Sequence, residues 1–190
     1  MSVEADFFRG DLVRLTAEDA EILGKTYSQW HRDSELYRLM DIDPVMVWSQ
    51  KKIQAWIETD LEKDEPRGYF FYIRALEDDR LIGDIGLGGV QRNHGEAWVG
   101  MGIGEREYWG KGYGTDAMRL VLRYAFTELN LHRVTLGVYV YNQRAIRSYE
   151  KAGFIVEGRE RGSVRKDGSR FDSLVMGILR SEWEQLQNGQ

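Results

Sequence analysis

The chain has 190 residues, of which 26 are Lys or Arg and 31 are Asp or Glu, so its formal net charge at pH 7 is −5. This length suits a single domain over 1–190 with a core at about 11–183, and the acidic balance argues against nucleic acid, whose non-specific binding depends on neutralising phosphates. The chain has no Cys and three His without metal-ligand spacing, so we expect no disulfide, no thiolate nucleophile and no metal site.

No apolar run approaches the roughly 20 residues needed to cross a bilayer, and the first residues lack the apolar stretch of a signal peptide. We therefore expect a cytoplasmic protein with no membrane partner.

The first predicted elements are a strand and a helix. Residues 11–15 alternate between polar and apolar side chains, which predicts a short strand. Thr16 and Asp19 resemble a capping box, and the residues around them predict a helix over 17–30.

The middle of the chain predicts a further helix followed by three strands. The stretch 31–48 mixes aromatic and polar residues without a clear period, whereas Ser49 is a good N-cap and opens a helical pattern. Strands are predicted over 68–76, 81–91 and 97–104, and polar turns join them.

The second half alternates helices and strands and then ends in a hairpin. A helix is predicted over 115–129, a strand over 132–140 and a helix over 142–153, and Asp167-Gly168 marks a hairpin turn. The order β-α-α-β-β-β-α-β-α-β-β predicts an α+β (mixed α/β) fold in one domain, with mostly antiparallel strands and one βαβ crossover.

Three glycines stand directly before the helix predicted at Thr115, in the segment YWGKGYGT. They are Gly110, Gly112 and Gly114. Glycine adopts left-handed backbone angles and lets an anion approach, and a helix N-terminus offers unpaired N–H groups and a partial positive charge. Lys111 adds a charge, and Thr115 can cap the helix and offer a hydroxyl to a phosphate. The segment predicts a phosphate site, although glycines also occur where the chain only turns a tight corner.

The spacing of these glycines separates the segment from three known phosphate loops. A Walker A loop requires G-x-x-x-x-G-K-[ST], and a dinucleotide-binding turn requires G-x-G-x-x-G within a βαβ unit. The segment reads G-x-G-x-G, and the further motifs of protein kinases are absent from the sequence. A nucleotide or dinucleotide enzyme is therefore disfavoured.

Two motifs resemble those of the GNAT superfamily of N-acetyltransferases. EYWGKGYGTDAM resembles its acetyl-CoA-binding loop, [QR]-x-x-G-x-[GA], with Trp109 in place of Gln or Arg. NQRAIRSYEKAGF, over 142–154, resembles a second signature, N-x-x-A-x-x-x-Y-x-x-x-G-F. The opening DLVRLTAEDAEIL and the late KDGSRFDSLVMGIL are similar to the ribosomal-protein-alanine (RimJ/RimL-like) and spermidine acetyltransferase subgroup, so the resemblance covers 11–183.

This resemblance implies a sheet whose central strands, 98–104 and 132–140, splay apart to admit acetyl-CoA. It implies that the backbone of Gly102, Ile103 and Gly104 pairs with the pantetheine arm and that Asn142 hydrogen-bonds it. The pyrophosphate would lie on the loop made by Trp109, Gly110, Lys111, Gly112, Tyr113, Gly114 and Thr115.

The resemblance also implies direct acetyl transfer to a primary amine, such as a protein N-terminus, a polyamine or another small amine. Tyr149 would protonate the leaving thiolate, although it also fits the apolar face of its helix and could belong to the core. Gly137 stands where some relatives carry a glutamate base, so no base is carried over. Asp84 and Glu96 lie on the acceptor side but are expected to be solvated strand-end charges, and a water chain is an alternative.

The residues that form the acceptor site are the hardest to predict from the sequence. Aromatic residues in 30–48 alternate with carboxylates and fit a pocket for a cationic amine, or an ordinary helix pair. The carboxylates are Asp33, Glu35, Asp41 and Asp43. Basic residues on the late hairpin could steer an acidic substrate, hold the 3′-phosphate of CoA or be a solvated face. They are Arg159, Arg161, Arg165, Lys166 and Arg170.

Two further expectations come from the resemblance. Homodimers are common among similar proteins, so a homodimer is expected. A non-catalytic acyl-CoA-binding or sensing module on the same fold is the alternative to an enzyme.

Overall fold

The computed structural model describes residues 6–61 and 68–189, and within these ranges the chain forms seven β-strands and six α-helices. The strands are β1 (Val13–Thr16), β2 (Gly68–Ala75), β3 (Leu81–Gln91), β4 (Glu96–Ile103), β5 (Arg133–Tyr139), β6 (Ile155–Lys166) and β7 (Ser169–Leu179). The helices are α1 (Ala20–Trp30), α2 (Ser34–Met40), α3 (Gln50–Leu61), α4 (Tyr113–Arg123), α5 (Gln143–Lys151) and α6 (Arg180–Asn188). A 3₁₀ turn covers Arg106–Tyr108, and a π-helical turn, Tyr124–Glu128, extends α4.

All seven strands form one sheet in the order β1-β2-β3-β4-β5-β7-β6. Every neighbouring pair is antiparallel except β4 and β5, which are parallel because the chain returns through α4 between them. The predicted mixed α/β domain with a mostly antiparallel sheet and one crossover is therefore confirmed.

The two central strands separate soon after they meet. Their parallel register has three residue pairs, from Glu96 with Arg133 to Trp98 with Thr135, and no pair is formed beyond Trp98. The remainder of β4 and the remainder of β5 thus border a gap within the sheet. The predicted splay of the central strands is confirmed.

The main core lies on the face of the sheet that α4 covers. Phe126 and Leu122 are fully buried there, together with the inward residues of β5, Val134 and Leu136. Because side chains alternate between the two faces of a sheet, the other residues of each strand lie on the opposite face, which we call the acceptor face. On that face α1 and α3 pack over β3 around Leu23 and other apolar residues.

One helix was not predicted, and two local predictions were wrong. Helix α2 lies in the stretch without a clear pattern and is capped by Asp33, whose carboxylate accepts hydrogen bonds from the N–H groups of Glu35 and Leu36. Helix α4 begins at Tyr113 rather than Thr115, with Gly112 as its N-cap.

The predicted capping box before α1 is also not formed. Asp19 is the N-cap of this helix, but its side chain makes no capping hydrogen bond. The Thr16 hydroxyl instead donates to the carboxylate of Glu18 over 2.8 Å.

Candidate active site

A cleft of about 590 Å³ passes through the gap between β4 and β5. Most of the predicted site residues line it: Gly102, Ile103, Trp109, Gly110, Gly112, Gly114, Thr115, Asn142 and Tyr149. Gly104, Lys111 and Tyr113 are not among its lining residues. Nine of the twelve predicted residues therefore lie along one continuous cleft, formed by two strands and the adjacent ends of two helices.

The glycine loop ends at the first turn of α4 in a left-handed conformation. Gly110 has φ 73° and Gly112 has φ 100°, and only glycine adopts such angles without strain. A Cβ atom at Gly110 would have no neighbour within 4 Å, so the loop borders open space. Gly112 offers no capping side chain, and the first N–H groups of α4 have no intrahelical partner. These features make a site for an anion.

Two side chains of the predicted phosphate loop are occupied in packing. The Tyr113 hydroxyl donates to Glu77 over 2.7 Å and points away from the cleft lining. The Thr115 hydroxyl is 2.9 Å from the hydroxyl of Ser148, so it links α4 to α5 instead of capping the helix. Lys111 is exposed.

Asp116 was missed by the sequence analysis. It is 8% exposed in the first turn of α4, and its carboxylate accepts hydrogen bonds from the N–H groups of Leu12 (2.8 Å) and Val13 (3.0 Å). This contact fixes the beginning of β1 to the helix N-terminus that borders the cleft. No local pattern indicates this contact, because its partners lie more than 100 residues apart in the chain.

The register of β4 decides which backbone groups face the gap. The Gly104 N–H donates to Ile82 of β3 over 2.8 Å, whereas the Gly95 carbonyl accepts from His132 at the start of β5. Backbone groups alternate in direction along a strand, so Met101 and Ile103 direct theirs into the gap. Gly102 and Gly104 direct theirs toward β3, so of the three predicted pantetheine partners only Ile103 presents polar groups to the cleft.

Gly102 and Gly104 instead allow side chains to pack directly on the strand. A Cβ atom at Gly102 would collide with the Met40 side chain of α2, and one at Gly104 would collide with the Trp30 ring of α1. These two glycines therefore set the distance between β4 and the helices on the acceptor face.

Trp109 folds back over the end of β4. Its indole N–H donates to the Ile103 carbonyl oxygen over 2.7 Å, and the guanidinium of Arg144 lies 3.6 Å from its ring centroid. The indole therefore joins the phosphate loop to β4 on one side and to α5 on the other. Burial lowers the pKa of Arg144.

Asn142 caps α5. Its side-chain oxygen accepts from the N–H of Ala145 over 3.2 Å, and its amide nitrogen donates to the Leu39 carbonyl of α2 over 3.3 Å. The residue thus ties α2 to the beginning of α5 at the edge of the cleft.

Tyr149 is 7% exposed and lines the cleft from α5. Its ring meets the ring of Phe154 edge-on, at 6.1 Å between centroids, and its hydroxyl makes no hydrogen bond with the residues that the structure describes. Burial raises the pKa of Tyr149 to about 12. The hydroxyl therefore keeps its proton at neutral pH.

The basic residues that line the cleft belong to α4 and α5, not to the late hairpin. They are Arg119, Arg144, Arg147 and Lys151. On the hairpin, Arg159 pairs with Asp172 over 3.1 Å, and the Lys166 ammonium donates to the Asp41 carbonyl just after α2 over 3.1 Å. These hairpin cations are engaged in holding the fold.

Two of the four predicted acidic residues around α2 are likewise engaged in structural contacts. Asp33 and Glu35 both pair with Arg106, over 2.5 and 2.8 Å. Asp84, expected as a solvated strand-end charge, lies instead in the interior of β3, in register with Gly102. Burial raises its pKa to about 6, although the residue is not fully sealed from solvent.

Residues 6–61 and 68–189 contain no group of three or more His, Asp or Glu placed to hold a metal ion. In the same ranges no helix has the length and apolarity of a membrane span.

The sequence and the fold match known acetyltransferases. The family profile described as "Acetyltransferase (GNAT) domain" matches residues 9–155. The chain is 40% identical over 144 residues to the probable N-acetyltransferase YjcK of Bacillus subtilis (strain 168), covering 75% of this chain and 78% of that protein. It is 50% identical over 77 residues to spermidine N(1)-acetyltransferase of Escherichia coli (strain K12), covering 40% and 41%.

A solved structure is similar to the fold over nearly its whole length. Spermidine N-acetyltransferase from Vibrio cholerae, in complex with CoA and spermine, gives a TM-score of 0.77 at 23% identity and covers 90% of this chain and 98% of that chain. The profile match and the relatives show that the chain belongs to the GNAT family of acetyltransferases. It is an acetyl-CoA-dependent acyltransferase.

Proposed function

We propose that this protein moves an acetyl group from acetyl-CoA directly to a primary amine of a protein N-terminus, a polyamine or another small amine. The observation that carries the proposal is one cleft that crosses the sheet. The glycine loop and the N-terminus of α4 border it on one side, Tyr149 lies within it, and Gly137 opens it toward the acceptor face.

The residues of the cleft fit acetyl-CoA. The N–H groups at the start of α4, opened by Gly110 and Gly112, would hold the pyrophosphate, and Gly114 would let it approach the helix. Met101 and Ile103 would offer backbone groups to the pantetheine amides. When bound, acetyl-CoA supplies an activated acetyl group as its thioester.

Four cations add to this proposed donor site. Arg119, Arg144, Arg147 and Lys151 line the same cleft and would neutralise the phosphates of CoA. The hairpin cations considered from the sequence are a poorer choice, because Arg159 and Lys166 already have partners in the fold.

Tyr149 would protonate the leaving thiolate. Its hydroxyl keeps its proton through neutral pH because burial raises its pKa, and it makes no hydrogen bond to the described residues that would hold it back. A chain without Cys fits direct transfer, which needs no covalent enzyme intermediate.

An amine acceptor is supported by the relatives. The Escherichia coli protein named spermidine N(1)-acetyltransferase shares 50% identity over 77 residues. The match covers 41% of that protein, so spermidine enters here as one member of the proposed class.

Release of CoA thiol tests the proposal. The purified protein is incubated with acetyl-CoA and a panel of spermidine, spermine, short peptides and simple amines, and each product is checked for an added acetyl group by mass spectrometry. We expect turnover with at least one amine. Tight acetyl-CoA binding without turnover on any of them would favour the non-catalytic acyl-CoA-binding module.

A further inference from the structure

We propose that Asp84 binds the ammonium group of the acceptor and takes its proton, and that Tyr27 positions the Asp84 carboxylate. This inference rests on the proposed function and names the proton acceptor of that reaction. Neither residue is among those that line the cleft, and Asp84 is linked to the cleft through its contact with Gly102, which does line it.

Asp84 lies on β3, one strand away from the gap in the sheet. Asp84 is in register with Gly102, and a Cβ atom at Gly102 would be 3.7 Å from the Asp84 carboxylate. The same alternation places the side chain of Asp84 and the Cβ position of Gly102 on the acceptor face. Gly102 lines the cleft, and the polar groups of its neighbour Ile103 point into the gap. The Asp84 carboxylate is thus separated from the cleft only by the width of β4 at a residue without a side chain.

The surroundings of Asp84 contain no cation among the residues that the structure describes. Tyr27 of α1 hydrogen-bonds the carboxylate, Tyr72 of β2 is in register with Asp84, and Met40 of α2 packs beside it over Gly102. A carboxylate buried without an opposite charge is costly, so it has a strong preference for a cationic ligand.

Tyr27 fixes the orientation of the carboxylate. It packs between α1 and the sheet, 5.1 Å from the ring of Trp30, and burial together with the neighbouring Asp84 raises its own pKa. Tyr27 therefore remains a hydrogen-bond donor to Asp84. This bond favours the ionised carboxylate, whereas burial favours the protonated form.

Other carboxylates near the acceptor face are less suited to this role. Asp33 and Glu35 are paired with Arg106. Glu105 accepts a hydrogen bond from the Trp30 indole, and Glu96 is exposed at the start of β4, where the strands are still paired.

The proton balance of the reaction then closes. The acceptor nitrogen forms a bond to the thioester carbonyl carbon while the carbon–sulfur bond breaks. Asp84 takes one proton from the ammonium before the attack and passes it to water, and it takes a second proton from the nitrogen after the attack. Tyr149 gives one proton to sulfur, and exchange with water then restores the Tyr149 hydroxyl and the Asp84 carboxylate. The net reaction converts an ammonium and acetyl-CoA into an acetamide, CoA thiol and one released proton.

The test uses the best acceptor of the amine panel. Asp84→Asn keeps the shape of the side chain and still accepts from Tyr27, so we expect unchanged acetyl-CoA affinity and a loss of about 100-fold in kcat/KM. The acidic limb of the wild-type kcat/KM profile, expected near pH 6, should vanish. Glu96→Gln is the matched control and should keep the wild-type rate and profile.

Tyr27→Phe provides a second test, because a purely structural role of Tyr27 would not change the pH profile of kcat/KM. It removes the hydrogen bond that lowers the pKa of Asp84, so the acidic limb should move to higher pH. An Asp84→Asn enzyme with the full rate, or a limb unmoved in both variants, would overturn this inference alone. A wild-type protein that acetylates no amine would overturn the proposed function and this inference together.

Discussion

The indole N–H of Trp109 donates a hydrogen bond of 2.7 Å to the carbonyl oxygen of Ile103. This bond joins the proposed phosphate loop to the end of β4, whose backbone borders the gap. Arg144 covers the other side of the same ring from α5. The tryptophan that replaces the Gln or Arg of the family pattern thus connects three walls of one cleft.

Trp109→Phe is expected to weaken acetyl-CoA binding by three- to ten-fold. The variant keeps a ring beneath Arg144 but loses one neutral hydrogen bond, which contributes about 1 kcal/mol. Isothermal titration calorimetry measures the change in Kd. Trp98→Phe is the matched control, because Trp98 is half exposed on the acceptor face, and it should leave the Kd unchanged.

Tyr149→Phe is expected to lower kcat by about 100-fold or more, since a positioned proton donor contributes roughly that factor. The fold should not suffer, because the hydroxyl makes no hydrogen bond with the described residues. In the wild type the pKa of about 12 predicts no alkaline loss of kcat below about pH 10. Tyr113→Phe, which removes the bond to Glu77, should lower Tm but keep kcat. A Tyr149→Phe enzyme with normal kcat would assign Tyr149 to the core.

Asp116→Ala is expected to destabilise the protein by about 2–4 kcal/mol. It leaves the buried N–H groups of Leu12 and Val13 without their acceptor, and hydrogen bonds to a charged group contribute about 1.5–3 kcal/mol each. Urea unfolding measures the change. Asp19→Ala removes an exposed carboxylate that makes no capping bond and should change the free energy of unfolding by less than about 0.5 kcal/mol.

Gly137→Val is expected to raise the KM for the amine about ten-fold without changing the Kd for acetyl-CoA. A Cβ atom at Gly137 has no neighbour within 4 Å, so the fold tolerates the side chain, which then fills the acceptor side of the cleft. Gly88→Val is the control, because Gly88 is equally open but does not line the cleft. Equal effects of the two variants would contradict an acceptor path past Gly137.

Asp84→Asn is expected to stabilise the protein at neutral pH. The folded pKa of Asp84, about 6, lies above its ordinary 3.8, so the folded state binds more protons than the unfolded chain between these values. The free energy of unfolding therefore falls as pH rises through that range. Asn avoids this loss, so the variant should gain up to about 3 kcal/mol at pH 7.5 and nothing at pH 3.5. Urea unfolding at both pH values, beside Glu96→Gln, measures the difference.

The features that the sequence predicted correctly are those with local signals. The strand–loop–helix around Gly112 follows from glycine spacing and the apolar period of α4, and Asn142 has the type and position of an N-cap. The splay of β4 and β5 has no such signal, and it was available only through the resemblance to a known family.

The features that were missed depend on contacts between distant parts of the chain. Helix α2 is short, and its cap, Asp33, stands in an aromatic stretch without a period. Asp84 stands between Gly83 and Ile85 in an ordinary strand, and only the packing of Tyr27 from α1 makes its environment unusual. Thr115 has a good N-cap side chain, but the left-handed angle at Gly112 begins the helix earlier.

Three residue pairs hold β4 to β5, and the rest of the shared edge is left open. Two halves of the sheet, β1–β4 and β5–β7, thus meet along a short seam. A ligand in the opening would contact mainly the main-chain groups of β4 and β5. These groups stay the same when the side chains of the two strands change. Substitutions in β4 and β5 can consequently accumulate without changing the shape of this opening. Selection for a new acceptor can then act on the helices α1 and α2, while the opening that admits the donor is preserved.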